Sequence, residues 1–181
     1  FDADFYSISP RQAITMDPQL RSLLEVSTQA LEHAGINFTE IKGSKAGVYV
    51  GAMWQDYADL QGQKEMGSLS SMGGGLSSLS GNLSYFYGTQ GPTMTIDTAC
   101  SSSLVSVHLA CQGLRNNECN MAMAAGVNLM LSPKTYEVEC GLKMLSPDKK
   151  CKSFDDSANG TVRGEGVAVV ILKRLTDAVK D

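Results

Sequence analysis

The sequence predicts an α/β layered fold built on a mainly parallel sheet, and three observations carry that reading. Segments with strand character alternate with segments of helical periodicity through most of the 181 residues. Val167 to Leu172 is a continuous apolar run, the mark of a strand buried on both faces. Thr93 to Arg115 couples a short alternating β-branched stretch to a helix with apolar residues on nearly every side, so both are expected to be enclosed in a core. A hydrophobic content of 43% over this length suffices for one sizeable core, in a single domain or a large piece of one.

Taken in order, Phe1 to Thr15 is aromatic and reads as an irregular strip over the core. Asp17-Pro18 announces a helix, because Asp is a good N-cap and Pro is tolerated at the first helical position. Leu20, Leu24, Ser27, Leu31 and Ala34 run down one face of it until Gly35 ends it. Ala46 to Met53 reads as a strand in which Gly47 and Gly51 imply close approach of another backbone. Gly67 to Gly81 has the composition of a linker, but apolar residues recur at steps of three and four from Leu69 to Phe86. Gly73 to Gly75 should interrupt that face, which predicts a loop followed by a helix from about Leu76 to Tyr87. Asn116 to Glu118 makes a turn, Cys119 to Leu131 a strand, and Lys134 to Leu142 a short helix after Ser132-Pro133. Ser146 to Gly166 is polar and glycine-bearing, a long loop of the kind that carries function inside a domain. The start at Phe1 and the helical Leu175 to Asp181 end predict a fragment of a longer chain.

Composition removes several function classes. A formal charge of −4 without a basic cluster longer than Lys149-Lys150 leaves no footprint for nucleic acid. No stretch approaches the ~18 apolar residues of a membrane span. The five cysteines, at 100, 111, 119, 140 and 151, form no C-x-x-C pair and meet only two histidines, which indicates neither a metal cage nor a disulfide framework. A reducing, cytoplasmic compartment fits such usage. The phosphate loop, the dinucleotide fingerprint and the G-x-S-x-G elbow are all missing.

Cys100 stands where the predicted strand and helix of Thr93 to Arg115 meet. A thiol there feels the positive end of the helix dipole and unpaired backbone N–H groups, which favour a nucleophilic thiolate. Ser101, Ser102 and Ser103 supply small side chains that could satisfy the first-turn amides without crowding a substrate. The alternative is that Cys100 is merely one of five cysteines, most of which should be small buried hydrophobes, with Cys111 and Cys119 reading as packing and turn residues. His108 lies eight residues, about 12 Å, along the same helix and cannot act directly on Cys100; it reads as a packing residue. His33, in the last turn of its helix, reads as a partner of the C-terminal dipole. Glu165, between two glycines ahead of a strand, reads as a buried acid that holds its loop by hydrogen bonds, the alternative being a group that supports the site from behind.

Asp97-Thr98-Ala99-Cys100-Ser101-Ser102-Ser103-Leu104, preceded by Gly91-Pro92, resembles the active-site signature of the β-ketoacyl synthases, and within them the ketosynthase domains of modular polyketide synthases. The series continues in the family's order with Met16-Asp17-Pro18-Gln19, Leu31 to Ile36, His108 to Cys111, Gly126-Val127-Asn128, Cys151 to Asp155 and Arg163-Gly164-Glu165-Gly166. The resemblance implies a thiolase-like αβαβα sandwich of two similar halves, with residues 1–181 forming most of the first and lacking its opening strand. It implies that Cys100 accepts an acyl chain from a carrier-protein thioester, with its backbone N–H in an oxyanion hole. A malonyl-type extender is then decarboxylated and its carbanion attacks the acyl-enzyme.

No directly bound cofactor or metal is implied, only the phosphopantetheine arm of an acyl carrier protein as substrate carrier. The implied partners are that carrier protein, acyl and malonyl thioesters, and a second copy in a homodimer. The two histidines that assist decarboxylation belong to the second half, so the chain alone is expected to be inactive. A non-elongating ketosynthase-like module and a fatty acid 3-oxoacyl synthase are the alternatives. Asn82 and Ala125 depart from the family, which usually carries arginine and glycine there.

Overall fold

A computed structural model of the chain describes residues 1–61 and 75–181. The expected loop before Gly75 lies outside the described residues. The first helix, α1 (Pro10–Thr15), corrects the reading of Phe1 to Thr15 as wholly irregular. Its signal is local: the Ser9 hydroxyl accepts from the Gln12 N–H, the Gln12 side chain accepts from the Ser9 N–H, and Pro10 opens the first turn. Helix α2 (Pro18–His33) begins at the predicted Asp17 cap, whose carboxylate accepts from the Gln19 N–H at 2.8 Å. It buries Leu20, Leu23, Leu24, Ser27 and Leu31, the 3–4 spacing of one face.

Strand β1 (Ala46–Gly51) is buried throughout, and a short helix α3 (Asp56–Gln61), which the sequence did not announce, follows it. Helix α4 (Ser77–Tyr87) occupies the predicted segment and ends on Gly88 in the left-handed region. Strand β2 (Thr93–Ile96), helix α5 (Ser102–Arg115) and strand β3 (Met121–Asn128) come next. Helix α6 (Pro133–Gly141), strand β4 (Gly166–Lys173) and a last turn of helix, α7 (Leu175–Ala178), complete the order. The sheet runs β2-β1-β3-β4, with β1 parallel to both β2 and β3 and β4 antiparallel to β3.

The pleat divides the core in two. Val48 and Val50 of β1 and Met121, Met123 and Ala125 of β3 face α2 and α4, together with Leu20, Leu24, Leu79 and Leu83. Tyr49, Ala122 and Ala124 face the other way, against Ala110 and Leu114 of α5. Each fully buried leucine contributes about 1.5–3 kcal/mol relative to an exposed one, so the α2 face anchors that layer.

Three expectations of complete burial are corrected. In β4, Val167, Val169 and Ile171 pack against the α2 layer, but exposure alternates along the strand and Val170 is 45% exposed. Strand β2 is an edge strand whose first two residues are exposed. Helix α5 is buried on one face only, with Leu104 75% exposed and His108 exposed rather than packed. The common reason is coverage: α5 lies chiefly over β1 and β3, and no described element covers its outer face. Apolar runs in the sequence mark surfaces suited to burial, not the side from which cover comes.

Candidate active site

The turn that ends β2 and starts α5 is built by short polar side chains. The Asp97 carboxylate accepts from the Ala99 N–H at 2.9 Å. Ala99 has φ +54°, the left-handed region that a Cβ disfavours. The Ser102 hydroxyl brackets this strained residue, accepting from the Thr98 N–H at 2.9 Å and donating to the Ala99 carbonyl at 2.6 Å. Ser101 Oγ donates to the Thr98 carbonyl at 2.8 Å. Ser101 and Ser102 therefore tie down the turn behind the helix, which corrects the expectation that they cap the first-turn amides; the N-cap Ser101 makes no side-chain cap bond. Cys100 emerges from this bracket, exposed, one residue before the cap.

Two glycines set the height of that turn over the sheet. A Cβ on Gly51 would lie 2.5 Å from the Ser102 carbonyl carbon and the Ser103 nitrogen, and one on Gly126 would lie 2.6 Å from Ser103 Cβ. Only glycine at the C-terminal ends of β1 and β3 allows α5 to start so close. The sequence reading of Gly51 as a point of backbone approach holds, and the backbone is that of the Cys100 turn. Ser106 fixes the next turn by donating to the Ala125 carbonyl of β3 at 2.9 Å.

Cys100 opens onto a cleft of about 810 Å³ whose walls include Trp54, Leu104, Val107, Leu142 and Arg163. Most of the wall is apolar, suited to a hydrocarbon chain beside the thiol. The long loop before β4 contributes its end to this cleft. Glu165 accepts from the Met130 N–H at 2.7 Å, and the Gly164 carbonyl accepts from Asn128 Nδ2 at 2.7 Å, so Glu165 holds the loop, but from an exposed position and not the buried one expected. Asp56, buried at the start of α3, accepts from the N–H groups of Leu131 and Ser132, both at 3.1 Å. Gln19 joins the same region to α2, donating to the Trp54 carbonyl at 3.0 Å and accepting from the Leu129 N–H at 3.3 Å. Sequence reasoning missed Asp56, Trp54 and Arg163 because their hydrogen-bond partners lie 28 to 76 residues away.

The other cysteines fall into different settings. Cys119 is fully buried, and burial pushes its thiol up; burial likewise pushes up the Tyr49 phenol beside it. Cys111 is partly covered, while Cys140 and Cys151 are exposed away from a helix start. His33 and His108 are exposed, and neither lines the Cys100 cleft. Among the described residues no group of three or more His, Cys, Asp or Glu could hold a metal ion, and no helix is long and apolar enough to cross a membrane.

Residues 1–178 match the family described as Beta-ketoacyl synthase, N-terminal domain. The chain is 50% identical over 186 residues to one component of the phenolphthiocerol/phthiocerol polyketide synthase of Mycobacterium tuberculosis, covering all of this chain and 10% of that protein. It is 50% identical over 183 residues to hybrid PKS-NRPS synthetase 1 of Dothistroma septosporum, covering all of this chain and 5% of that protein. Among solved structures, the ketosynthase from module 6 of the bacillaene synthase of Bacillus subtilis 168 superposes with a TM-score of 0.92 at 43% identity, over 99% of this chain and 31% of that one. The chain thus spans a tenth or less of these curated relatives.

Proposed function

Because the chain belongs to the β-ketoacyl synthase N-terminal domain family, with the fold of polyketide ketosynthases, we propose that residues 1–181 form the acyl-accepting part of a ketosynthase domain in polyketide biosynthesis. The observation that carries this reading is Cys100, exposed on a strained, bracketed turn at a helix start and open to an apolar cleft. That placement suits a nucleophile and not a packing residue.

In this mechanism the Cys100 thiolate attacks the carbonyl of an acyl thioester carried on the phosphopantetheine arm of an acyl carrier protein. The C–S bond to Cys100 forms, a tetrahedral oxyanion develops, and its collapse breaks the C–S bond to the arm, which leaves as its own thiolate and takes up a proton from water. The exchange of one thioester for another is nearly thermoneutral, so the contribution of the site is positioning and charge stabilisation. The Cys100 N–H, at the positive end of α5, is the donor proposed for the oxyanion. A malonyl-type thioester then loses CO2, and its enolate carbon attacks the acyl carbonyl, forming the C–C bond and releasing the Cys100 thiolate. His108, exposed and eight residues along α5 from Cys100, is not available to assist. The groups that stabilise the enolate are assigned to a part of the parent protein beyond these residues.

The parent is proposed to be a cytoplasmic homodimer in which β2 and α4 approach their copies. The open edge and exposed start of β2 support that contact. Acyl transfer is tested by incubating the folded parent with a hexanoyl carrier-protein thioester and mapping the adduct. Acylation at Cys100 alone is expected, although Cys140 and Cys151 are also exposed. Equal acylation of the three exposed thiols would refute the assignment.

A further inference from the structure

Arg163 is the most heavily engaged side chain in the Cys100 cleft, and the acyl-transfer mechanism leaves it without a role. Its side chain is 6% exposed. Its Nε lies 3.3 Å from Glu139 Oε1, and its Nη1 donates to Thr135 Oγ1 at 2.6 Å. The guanidinium lies over two rings, 4.7 Å from the centroid of Tyr136 and 5.7 Å from that of Trp54. A buried cation needs such compensation: one carboxylate, one hydroxyl and two π faces. The arrangement joins three segments distant in sequence, the loop before β4, helix α6, and the β1 to α3 connection that carries Trp54.

Trp54 is fastened at two points. Its carbonyl accepts from Gln19 Nε2 at 3.0 Å, and its indole is held by the Arg163 cation. Trp54, Arg163 and Cys100 bound one cleft, while Tyr136 supports the guanidinium from outside it. The position of the indole therefore sets the width of the cleft beside whatever is attached to Cys100.

Resting on the acyl-transfer reading above, we infer that Arg163 is a positioning residue that fixes Trp54 as a wall of the acyl cleft and so governs discrimination between long and short acyl chains at Cys100. A two-carbon acyl group stays near the sulfur and does not need the wall. A chain of ten carbons extends along it, and each methylene that loses contact lowers its reactivity. Arg163 touches neither the reacting atoms nor the thiol in this role.

The test uses the intact parent protein and single-turnover acylation of Cys100 by acetyl and decanoyl N-acetylcysteamine thioesters, followed by mass spectrometry. Arg163→Met is combined with Glu139→Gln so that no charge is left buried alone. Its kcat/KM for the decanoyl ester is expected to fall on the order of tenfold, through KM, while the acetyl value stays within about twofold. Arg163→Lys, which keeps the cation without the planar fork, should recover part of the decanoyl loss. Trp54→Phe leaves Arg163 untouched and should lower decanoyl acylation in the same direction, so it decides the matter even if the double variant does not fold. A decanoyl-to-acetyl ratio within about twofold of wild type in Trp54→Phe and in any folded Arg163 variant would overturn the inference. Failure of the wild type to acylate Cys100 with either ester would instead refute the acyl-transfer reading.

Discussion

Replacing Gly51 by alanine probes how the sheet positions the nucleophile. The added Cβ would sit 2.5 Å from the backbone of Ser102 and Ser103 and 2.6 Å from the Ser102 carbonyl oxygen. Ordinary contact begins near 3.4 Å, so the first turn of α5 must rise by about 1 Å, and these atoms are main chain with no rotamer to yield. The Ser102 bracket around Ala99 and the Ser106 bond to the Ala125 carbonyl oppose that shift. Overpacking of this kind costs about 1–3 kcal/mol of stability. For a protein with two-state unfolding and this many residues, that is a fall of about 2–12 °C in Tm, at about 2–4 °C per kcal/mol. The effect on chemistry should be larger, since a misplacement of about 1 Å at a reacting group costs on the order of 100-fold in rate. Single-turnover acylation of Cys100 by the hexanoyl thioester, measured beside thermal unfolding of the same preparation, separates the two effects. A folded Gly51→Ala variant that acylates Cys100 at the wild-type rate would show that the contact does not set the position of the sulfur.

Two further perturbations test the fold around the site and the proposed dimer. Burial raises the Asp17 carboxyl above its ordinary value of 3.8, eased by its bonds from Gln19. The folded state therefore holds that proton longer than the unfolded state, and the stabilisation it gives is present below 3.8 and lost as pH rises through the raised folded value. Asp17→Asn should flatten this decline in urea denaturation measured across the window upward from pH 3.8; an unchanged pH profile would count against it. Met94→Asp, at a position 37% exposed on the edge strand β2, places a charge at the proposed two-fold contact and should release monomers in sedimentation. A wild-type parent already monomeric at micromolar concentration would remove that assignment.

Much of the fold is legible because it depends on short-range rules. The Asp17-Pro18 cap, the 3–4 spacing of Leu20, Leu24 and Leu31, and the Val48-Tyr49-Val50 centre of β1 are local requirements of a helix and a strand. Cys100 is legible for the same reason: a strand, a turn and a helix start meet within ten residues, from Thr93 to Ser102, and the surrounding series of motifs identifies the family. Even Gly51 announces a close backbone approach, although not which backbone.

What the sequence could not supply is anything set by contacts between remote segments. Arg163, Trp54, Tyr136 and Glu139 carry no pattern that links them, and it is the packing of α6 and two loops over the ends of the strands that makes them one cluster. The role of Ser101 and Ser102 is not fixed by their position in the chain, because a hydroxyl beside a helix start can bond forward to free amides or back to the turn. The left-handed Ala99 brings the Thr98 N–H and the Ala99 carbonyl within reach of Ser102, and so selects the second. Exposure along β4 and α5 is likewise a tertiary property. A hydrophobic run records that a surface favours cover, whereas which face receives it depends on where α2 and α5 lie across the sheet.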